Sequence, residues 1–416
     1  MSLTILDARL DGRPVGLRCD GEGRIAALGP EVAAAPGDET LEAGGAHLVA
    51  GLVNGHTHAA MTLFRGYGGD LPLMRWLEEK IWPIEESLEE EDVYWGTRLA
   101  CAEMIRTGTT RFWDMYWHPT ATARAVRDSG LRAVVGGPLF DVGGGSTEAR
   151  ETALAHLDRL AAETPEIDRA LAPHAIYTVS EGLLRWSAET ATEQGIAIQI
   201  HLSETEREVS ECVGAHGVRP AEYLDRVGLL GERTVLAHGV WLDNAELELI
   251  AERGCTVVTN PVANMKLAVG GVFPYPRARE AEVAVGLGTD GAGSNDSLDL
   301  LSDLKAFALA QRHAAGDATV IAAAEAWEVA TGRRAPGLGS TELAVGAPAD
   351  FLLLRPSSPE LGLGDLASDL VYAASGSVVD TTVVGGRVLM RGGVVEGVEE
   401  IVARAAERAA GLGIGT

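Results

Sequence analysis

The sequence predicts an α/β fold in which a (β/α)8 TIM barrel carries a small β-sandwich built from the N- and C-terminal segments. Three observations predict it. Eight short apolar runs alternate with segments of helical period, both chain ends contain strand-like runs and glycine turns, and histidines and acidic residues recur where apolar runs end. Alternating strands and helices favour a parallel sheet, and barrel enzymes place their catalytic groups at the carboxyl ends of the strands.

The two ends of the chain have the sequence pattern of strands separated by turns. Leu3–Leu10 is followed by the turn signal Asp11-Gly12, and Ala349–Leu354 is a similar run near the other end. Such runs between glycine turns are typical of a β-meander. We expect a discontinuous β-sandwich domain from residues 1–50 and 345–416, and a catalytic barrel from residues 51–344.

The middle of the chain supplies the eight strands of the predicted barrel. The apolar runs are Leu48–His58, Thr110–Met115, Ala133–Phe140, Ala170–His174, Ala197–Leu202, Thr234–His238, Cys255–Asn260 and Val283–Asp290. Helical segments between them include Glu89–Arg106, Thr147–Glu163 and Glu181–Gln194. The alternative is an open, doubly wound sheet, but the count of eight favours a closed barrel.

Composition and charge exclude several classes of partner. The formal net charge is -26, which would repel phosphate backbones and anionic membranes, so we expect neither a nucleic-acid polymer nor a membrane as partner. The four cysteines have no C-x-x-C spacing and are interpreted as buried thiols in a reducing compartment. The first residues have no basic segment followed by a long apolar stretch, so we expect a cytoplasmic protein.

A metal site is predicted where the first apolar run ends. His56 and His58 are two residues apart, and on a strand such residues point to the same face. Polar residues with ligand chemistry also end or follow later runs, namely His174, His201, Glu204, His238 and Asp290. A third histidine and an aspartate from other strands would complete a site with an open position, which fits catalytic Zn²⁺, with Fe²⁺ as the alternative.

Seven motifs together resemble the amidohydrolase superfamily over nearly the whole chain. They are Gly51–His58, Met61–Gly66, Trp76–Glu85, Pro173–Tyr177, His201–Thr205, Asn260–Leu267 and Gly288–Gly291. Within the superfamily the chain looks like the 5-methylthioadenosine/S-adenosylhomocysteine deaminase group. The resemblance implies a hydrolytic deaminase that converts an adenosine-type nucleoside (S-adenosylhomocysteine, 5-methylthioadenosine or adenosine) to the inosine-type product plus ammonia. It also makes a homo-oligomer an expectation.

The resemblance implies which residues bind the metal. His56, His58, His201 and Asp290 match the ligand positions of the superfamily. Related sites with two metals carry a bridging lysine on the fourth strand, where this chain ends its fourth run in His174. We therefore expect one divalent cation per chain, Zn²⁺ or Fe²⁺.

The resemblance also implies catalytic roles for three residues. Glu204 matches the general acid/base that carries a proton from the attacking water to a ring nitrogen. His238 matches a second group that handles protons, and Asp290 matches a residue that accepts a hydrogen bond from the attacking water and takes part in proton transfer. The alternatives are a surface glutamate at a helix start, a buried core histidine and a helix N-cap.

Four residues are expected to bind the substrate. By resemblance His174 contacts the purine ring, Glu85 accepts hydrogen bonds from the ribose hydroxyls, and Trp82 lines the pocket. The alternatives are a core histidine, a solvated surface charge and a core aromatic residue, respectively. Arg150 matches a position where the family can hold the homocysteine carboxylate, although it could equally be a helix-surface arginine. A second arginine that some relatives carry near the third strand is absent from residues 135–138, which weakens the case for S-adenosylhomocysteine.

Two other functions compete with a nucleoside deaminase. The same scaffold could deaminate another ring, such as aminofutalosine, guanine, a pterin or a triazine, and a free base would leave Glu85 without a ribose. A non-catalytic barrel that only binds a partner is the second alternative. It should have lost ligands or the acid/base, yet Glu204 and His238 are both present beside the four ligand positions.

Overall fold

The computed structural model describes residues 2–69, 71–141, 144–340, 342–362 and 364–414, so the predicted outer bounds at residues 1 and 416 lie outside the described residues. Its strands are β1 (Leu3–Leu10), β2 (Arg13–Cys19), β3 (Ile25–Gly29), β4 (Glu39–Glu42), β5 (His47–Ala50), β6 (Leu52–Thr57), β7 (Thr109–Met115), β8 (Arg132–Gly136), β9 (Pro138–Leu139), β10 (Asp168–Pro173), β11 (Ala197–Leu202), β12 (Thr234–His238), β13 (Thr256–Thr259), β14 (Ala284–Leu287), β15 (Phe351–Leu354), β16 (Val379–Val384), β17 (Arg387–Arg391) and β18 (Val394–Val395).

The α-helices lie between and around these strands. They are α1 (Leu73–Trp76), α2 (Trp82–Glu85), α3 (Glu90–Thr107), α4 (Pro119–Ser129), α5 (Ser146–Glu163), α6 (Glu181–Gln194), α7 (Glu206–His216), α8 (Pro220–Arg226), α9 (Asn244–Glu252), α10 (Pro261–Lys266), α11 (Tyr275–Glu280), α12 (Ala292–Asn295), α13 (Leu300–Ala315), α14 (Ala323–Ala330), α15 (Leu366–Tyr372) and α16 (Val398–Gly411). A π-helical turn, Leu77–Ile81, joins α1 to α2, and 3₁₀ turns cover Ala59–Phe64, Pro336–Leu338 and Gly376–Val378.

Eight parallel strands close into a barrel, as the sequence predicts. The ring runs β6, β7, β8, β10, β11, β12, β13 and β14, and β14 pairs with β6. The short strand β9 follows β8 and pairs with β10. Because all eight strands are parallel, their carboxyl ends meet at one face of the barrel.

The two ends of the chain form a separate mixed sheet. Its order is β18, β17, β16, β15, β5, β1, β2 and β3, with β4 paired to β1. The chain ends meet where β15 runs antiparallel to β5, with Phe351 opposite Ala50 and Leu354 opposite His47. The predicted association of the two terminal segments is therefore confirmed.

Helix α6 forms where the sequence carries a capping residue at each end. Helix α6 has the predicted bounds, starts with the Ser180 side chain accepting from Leu183 N and ends at Gly195 with φ 66°. The Ser180 hydroxyl accepts from a backbone N–H that has no partner within the helix. Gly195 adopts the left-handed conformation at the other end without a Cβ clash. Among the described residues, no helix is both long enough and apolar enough to cross a membrane.

The amino-terminal end of the barrel is filled with side chains. Ala335 and Leu338 pack there against Val53 and Val258, and the Trp113 indole donates to the Leu338 carbonyl at 3.2 Å. This apolar layer occupies one end of the barrel interior. The site must therefore be built at the opposite end, where the strands finish.

A buried carboxylate fastens the barrel to the terminal sheet. Asp350, whose side chain is 2% exposed, accepts from Arg132 Nε at 2.6 Å and Nη2 at 3.2 Å. It also accepts from the backbone of Gly385 at 2.6 Å. Because Arg132 belongs to β8 and Asp350 precedes β15, these bonds join the two parts of the chain.

Replacing this carboxylate should destabilise the protein. Asp350→Ala is expected to lower the free energy of unfolding by about 2 to 3 kcal/mol, because a half-buried guanidinium and a backbone N–H lose their acceptor. Urea titration measures the change. Asp225→Ala is the matched control, since Asp225 and Arg253 form an equally short bidentate pair at the surface, and its loss should stay below about 1 kcal/mol. Equal losses for the two variants would contradict the role of Asp350.

Candidate metal centre and active site

Four side chains from three barrel strands converge at the carboxyl end of the barrel. His201 Nε2 lies 3.2 Å from His56 Nε2 and 3.3 Å from His58 Nε2. Asp290 Oδ1 lies 3.2 Å from His58 Nε2 and 3.5 Å from His56 Nε2. Adjacent ligands around a Zn²⁺ ion with bonds of about 2.0–2.2 Å are roughly 3 to 3.6 Å apart, so the spacing fits one cation.

Two of the histidines, His58 and His201, donate from Nδ1 to backbone carbonyls, so Nε2 is the nitrogen that faces the site. His58 Nδ1 donates to the Met115 carbonyl at 2.6 Å, and His201 Nδ1 donates to the His174 carbonyl at 2.8 Å. A carbonyl can only accept, so in the neutral rings the proton lies on Nδ1 and Nε2 is bare. The Nε2 atoms of His58 and His201 lie 3.3 Å apart, so both can bind one cation once His58 has lost its second proton.

The ionisation of these groups is consistent with a cation site. Burial lowers the pKa of His56 to about 4 and holds that of His201 well below its ordinary value. Burial also disfavours the charged form of His58, but the hydrogen bond and charge of Asp290 raise the pKa of His58 to about 9. In the metal-free protein a proton therefore lies between His58 and Asp290, and a cation that binds there replaces it.

Asp290 is oriented by its own turn. It follows β14 with φ 61°, its backbone N–H donates to the His56 carbonyl at 3.1 Å, and its Oδ2 accepts from Ser294 Oγ at 2.7 Å. This leaves Oδ1 facing His56 and His58. A second trio of donor atoms, from His56, His201 and His238, also lies close enough together to hold an ion.

Glu204 and His238, the two residues predicted to handle protons, lie next to each other beside the four donors. The Glu204 carboxyl lies 3.8 Å from His238 Nδ1, and both side chains are buried. Burial raises the pKa of Glu204, so the protonated form of this carboxyl is favoured more than it would be in water. Asn264 Oδ1 lies 2.8 Å from His238 Nδ1 and accepts a hydrogen bond from it. In the neutral ring His238 Nε2 is therefore left as an acceptor.

These groups lie at the base of a cleft at the carboxyl end of the barrel. Its walls include three of the residues expected to bind substrate, His174, Glu85 and Trp82. His174 Nδ1 lies 2.8 Å from Thr178 Oγ1, and burial lowers the pKa of His174 to about 3, so its ring is neutral. The cleft combines apolar and aromatic walls with a few polar groups at its base, as sites for small organic ligands do.

One wall of the cleft is a continuous aromatic surface. The rings of Trp117 and Phe140 are stacked with centroids 5.4 Å apart, and Phe140 stacks in turn on His174 at 4.5 Å. Glu85, the last residue of α2, lies beside Tyr116 and Trp117. Burial raises the pKa of the Glu85 carboxyl.

Arg150 lies apart from the other predicted residues. Its Nη2 donates to the Gly182 carbonyl at 2.9 Å, and its guanidinium lies 5.8 Å from the ring centroid of Trp186. It is not among the described residues that line the cleft. The structure therefore does not bring Arg150 to the site, and its predicted contact with a carboxylate stays a prediction.

Sequence reasoning missed several residues that shape the site. Phe140, Tyr116 and Tyr177 line the cleft, and Asn264 and Ser294 hold the rings and carboxylates that face it. A signal existed for Phe140, which ends the third apolar run at the same level as the ligand residues. Asn264 lies within a quoted motif, but only its distance to His238 shows what it does.

Comparison with known proteins identifies relatives over the whole chain. The pattern of the amidohydrolase family matches residues 47–389. A 5'-deoxyadenosine deaminase of Methanoregula boonei is 46% identical, covering 96% of this chain and 92% of that protein. A 5-methylthioadenosine/S-adenosylhomocysteine deaminase of Archaeoglobus fulgidus is 41% identical, covering 92% of this chain and 91% of that protein.

A solved structure agrees with these relatives. An adenosine deaminase from Xanthomonas campestris with bound zinc superposes with a TM-score of 0.91 at 33% identity, covering 99% of this chain and 98% of that one. Fold, strand-end histidines and sequence similarity therefore agree over nearly the full length. The chain belongs to the amidohydrolase family.

Proposed function

We propose that the protein is a hydrolytic deaminase that converts an adenosine-type nucleoside and water into the inosine-type nucleoside and ammonia. The observation that carries this proposal is the position of Glu204 and His238 beside the converging ligand atoms at the base of the cleft. An acid–base pair at that place can move protons between water and a bound ring. The names of the relatives, which are adenosine-type deaminases, support the same reaction.

A single Zn²⁺ ion is the cofactor that we propose, held by His56, His58, His201 and Asp290. Three nitrogens and one carboxylate oxygen suit zinc, and the Xanthomonas campestris adenosine deaminase was solved with zinc. A divalent cation at such a site lowers the pKa of water from about 15.7 towards 7 and so supplies hydroxide at neutral pH. The ligands bring only one negative charge, from Asp290. The site therefore keeps a net positive charge that favours hydroxide over neutral water.

The chain's own side chains would handle the protons. The Glu204 carboxylate takes a proton from the attacking water and passes it to a nitrogen of the purine ring, which makes the adjacent carbon electrophilic. His238 accepts hydrogen bonds through Nε2 and holds the attacking oxygen, since its Nδ1 proton is engaged by Asn264. Asp290 accepts a second hydrogen bond from the water. The amine then leaves as ammonia after receiving a proton.

We assign the substrate's sugar to Glu85, and its base to His174 and the aromatic surface behind it. The half-buried Glu85 carboxylate can accept hydrogen bonds from two adjacent ribose hydroxyls at once. His174 and the aromatic surface behind it face the purine, with Trp82 closing the pocket. A free base would use the purine wall only, so Glu85 distinguishes a nucleoside from a base.

The electrostatics of the cleft favour an uncharged group on the 5′ carbon. Glu85, Glu204 and Asp290 contribute three carboxyl groups, and no lysine or arginine occurs among the described residues of the lining. A carboxylate or phosphate at the 5′ position would lose water and gain no cationic partner there. We therefore propose 5′-deoxyadenosine or methylthioadenosine ahead of S-adenosylhomocysteine or a nucleotide.

Ammonia release from a substrate series tests the proposed reaction. Zinc-loaded protein should deaminate 5′-deoxyadenosine or methylthioadenosine, recorded as ammonia and as the ultraviolet change of the purine. Removing the metal with a chelator should abolish turnover and lower the melting temperature, and added Zn²⁺ should restore both, because a ligand that binds only the folded state stabilises it. Turnover of guanine, a pterin or a triazine with every nucleoside inert would contradict the proposed substrate.

The acid–base role of Glu204 predicts a large loss of turnover. Glu204→Gln should lower kcat by about 10²- to 10⁴-fold with its metal content unchanged, since the amide cannot transfer the proton. The matched control is Glu206→Gln, two residues further on and exposed at the start of α7, which should keep normal activity. Full activity of Glu204→Gln would remove this residue from the mechanism.

If Glu85 binds the ribose, its replacement should impair turnover of the nucleoside more than turnover of the free base. Glu85→Gln should lower kcat/KM for the nucleoside by about 10- to 100-fold, because hydrogen bonds to a charged acceptor are lost, while the slow use of free adenine should change little. Glu86→Gln, its exposed neighbour, serves as the control. Equal losses on the nucleoside and the free base would show that Glu85 does not bind the sugar.

A further inference from the structure

Glu208 is a buried carboxylate that the proposed reaction does not use. It lies in the first turn of α7 and is only 4% exposed. Its Oε1 accepts from the backbone N–H of Ser203 at 2.8 Å, and its Oε2 accepts from the backbone N–H of Glu204 at 2.9 Å. Both oxygens are thus engaged by the two residues that join the ligand strand β11 to the helix.

Two other helices of this chain show what a carboxylate at this position ordinarily does. In α3 the Asp92 side chain accepts from the backbone of Glu89, the residue that caps the helix, and in α9 Glu246 does the same for Asp243. Those are capping boxes, which give hydrogen-bond acceptors to the backbone N–H groups at the start of the helix. Glu208 occupies the equivalent place in α7, but its hydrogen bonds reach past the capping residue Thr205 to Glu204 itself.

The backbone that Glu208 holds has a conformation that needs support. Ser203 is a non-glycine residue with φ 49°, in the left-handed region, which costs free energy for a residue with a Cβ. On the other side, the Ser203 carbonyl accepts from Trp241 N at 2.9 Å, in the loop that follows β12 and His238. The turn is therefore held between Glu208 and the segment that carries the partner of Glu204.

We propose that Glu208 is a positioning residue for the acid–base carboxyl of Glu204. By fixing both backbone N–H groups it sets the direction in which the Glu204 side chain leaves the turn, towards His238 and the base of the cleft. This inference rests on the role of Glu204 in the proposed function. It predicts that loss of Glu208 slows the proton-transfer step and leaves substrate binding and metal content intact.

Kinetics of Glu208 variants, with metal content and melting temperature measured on each, test this proposal. Glu208→Ala should lower kcat by about 100-fold and Glu208→Gln by about 10-fold, because small displacements of a catalytic group carry costs of this order and glutamine retains one of the two acceptors. KM should stay within about threefold. Should Glu208→Ala fail to fold, Glu208→Gln carries the test.

Glu246→Ala is the matched control. Glu246 is a fully buried carboxylate at the same position of a helix start, with bonds to Ala221 N, Asp243 N and Arg219. It should lower the melting temperature and leave the kcat of the folded, zinc-loaded enzyme unchanged. A kcat loss in Glu208→Ala no larger than in Glu246→Ala would show that Glu208 only stabilises the fold, and so would overturn the proposal.

A double-mutant cycle separates positioning of Glu204 from a general effect on the site. In the Glu204→Gln background, adding Glu208→Ala should change the residual kcat by less than about threefold, since the group that it positions is already inactive. A further loss of about 100-fold would overturn the proposal. Full activity of Glu204→Gln alone would refute the proposed function together with this inference, whereas an inactive Glu204→Gln beside a fully active Glu208→Ala would refute this inference alone.

Discussion

The rest of the site depends on the convergence of four donor atoms, from His56, His58, His201 and Asp290, at the carboxyl end of the barrel. Backbone carbonyls accept hydrogen bonds from Nδ1 of His58 and of His201, which directs the Nε2 atoms of both rings into the site. In the metal-free protein Asp290 shares a proton with His58 there. A divalent cation can replace that proton, and the barrel strands keep the donor atoms in place without it.

The price of this arrangement is local strain at the ends of the strands. Ser203, His238 and Asp290 follow or end three barrel strands, and each has a positive φ, between 49° and 75°. Residues with a Cβ avoid this region unless other contacts enforce it. Each of the three residues also has a hydrogen-bond partner: Glu208 accepts from the Ser203 backbone, Asn264 bonds the His238 ring, and Ser294 donates to the Asp290 carboxylate. The geometry of the site therefore depends on these supporting residues as well as on the groups that face the cleft.

The fold and the inner ring of the site could be predicted from the sequence because both follow from local periodicity. Alternating strands and helices predict the barrel, and residues two apart on a strand, such as His56 and His58, must share a face. The supporting layer could not be predicted, because it depends on loop conformation. Asn264 reaches His238 across 26 residues of sequence, and Glu208 looks like an ordinary helix-capping residue until its hydrogen bonds are seen. Arg150 shows the converse, since a plausible sequence position does not bring its side chain to the cleft.

The most direct test of the proposed metal centre is a crystal structure of the zinc-loaded protein with anomalous diffraction measured at the zinc absorption edge. The proposed ligand set predicts one anomalous peak per chain, bound by His56, His58, His201 and Asp290 at distances of about 2.0 to 2.2 Å, with His238 hydrogen-bonded to Asn264 and not bound to the ion. A peak held by the other trio, His56, His201 and His238, with Asp290 turned away, would contradict it.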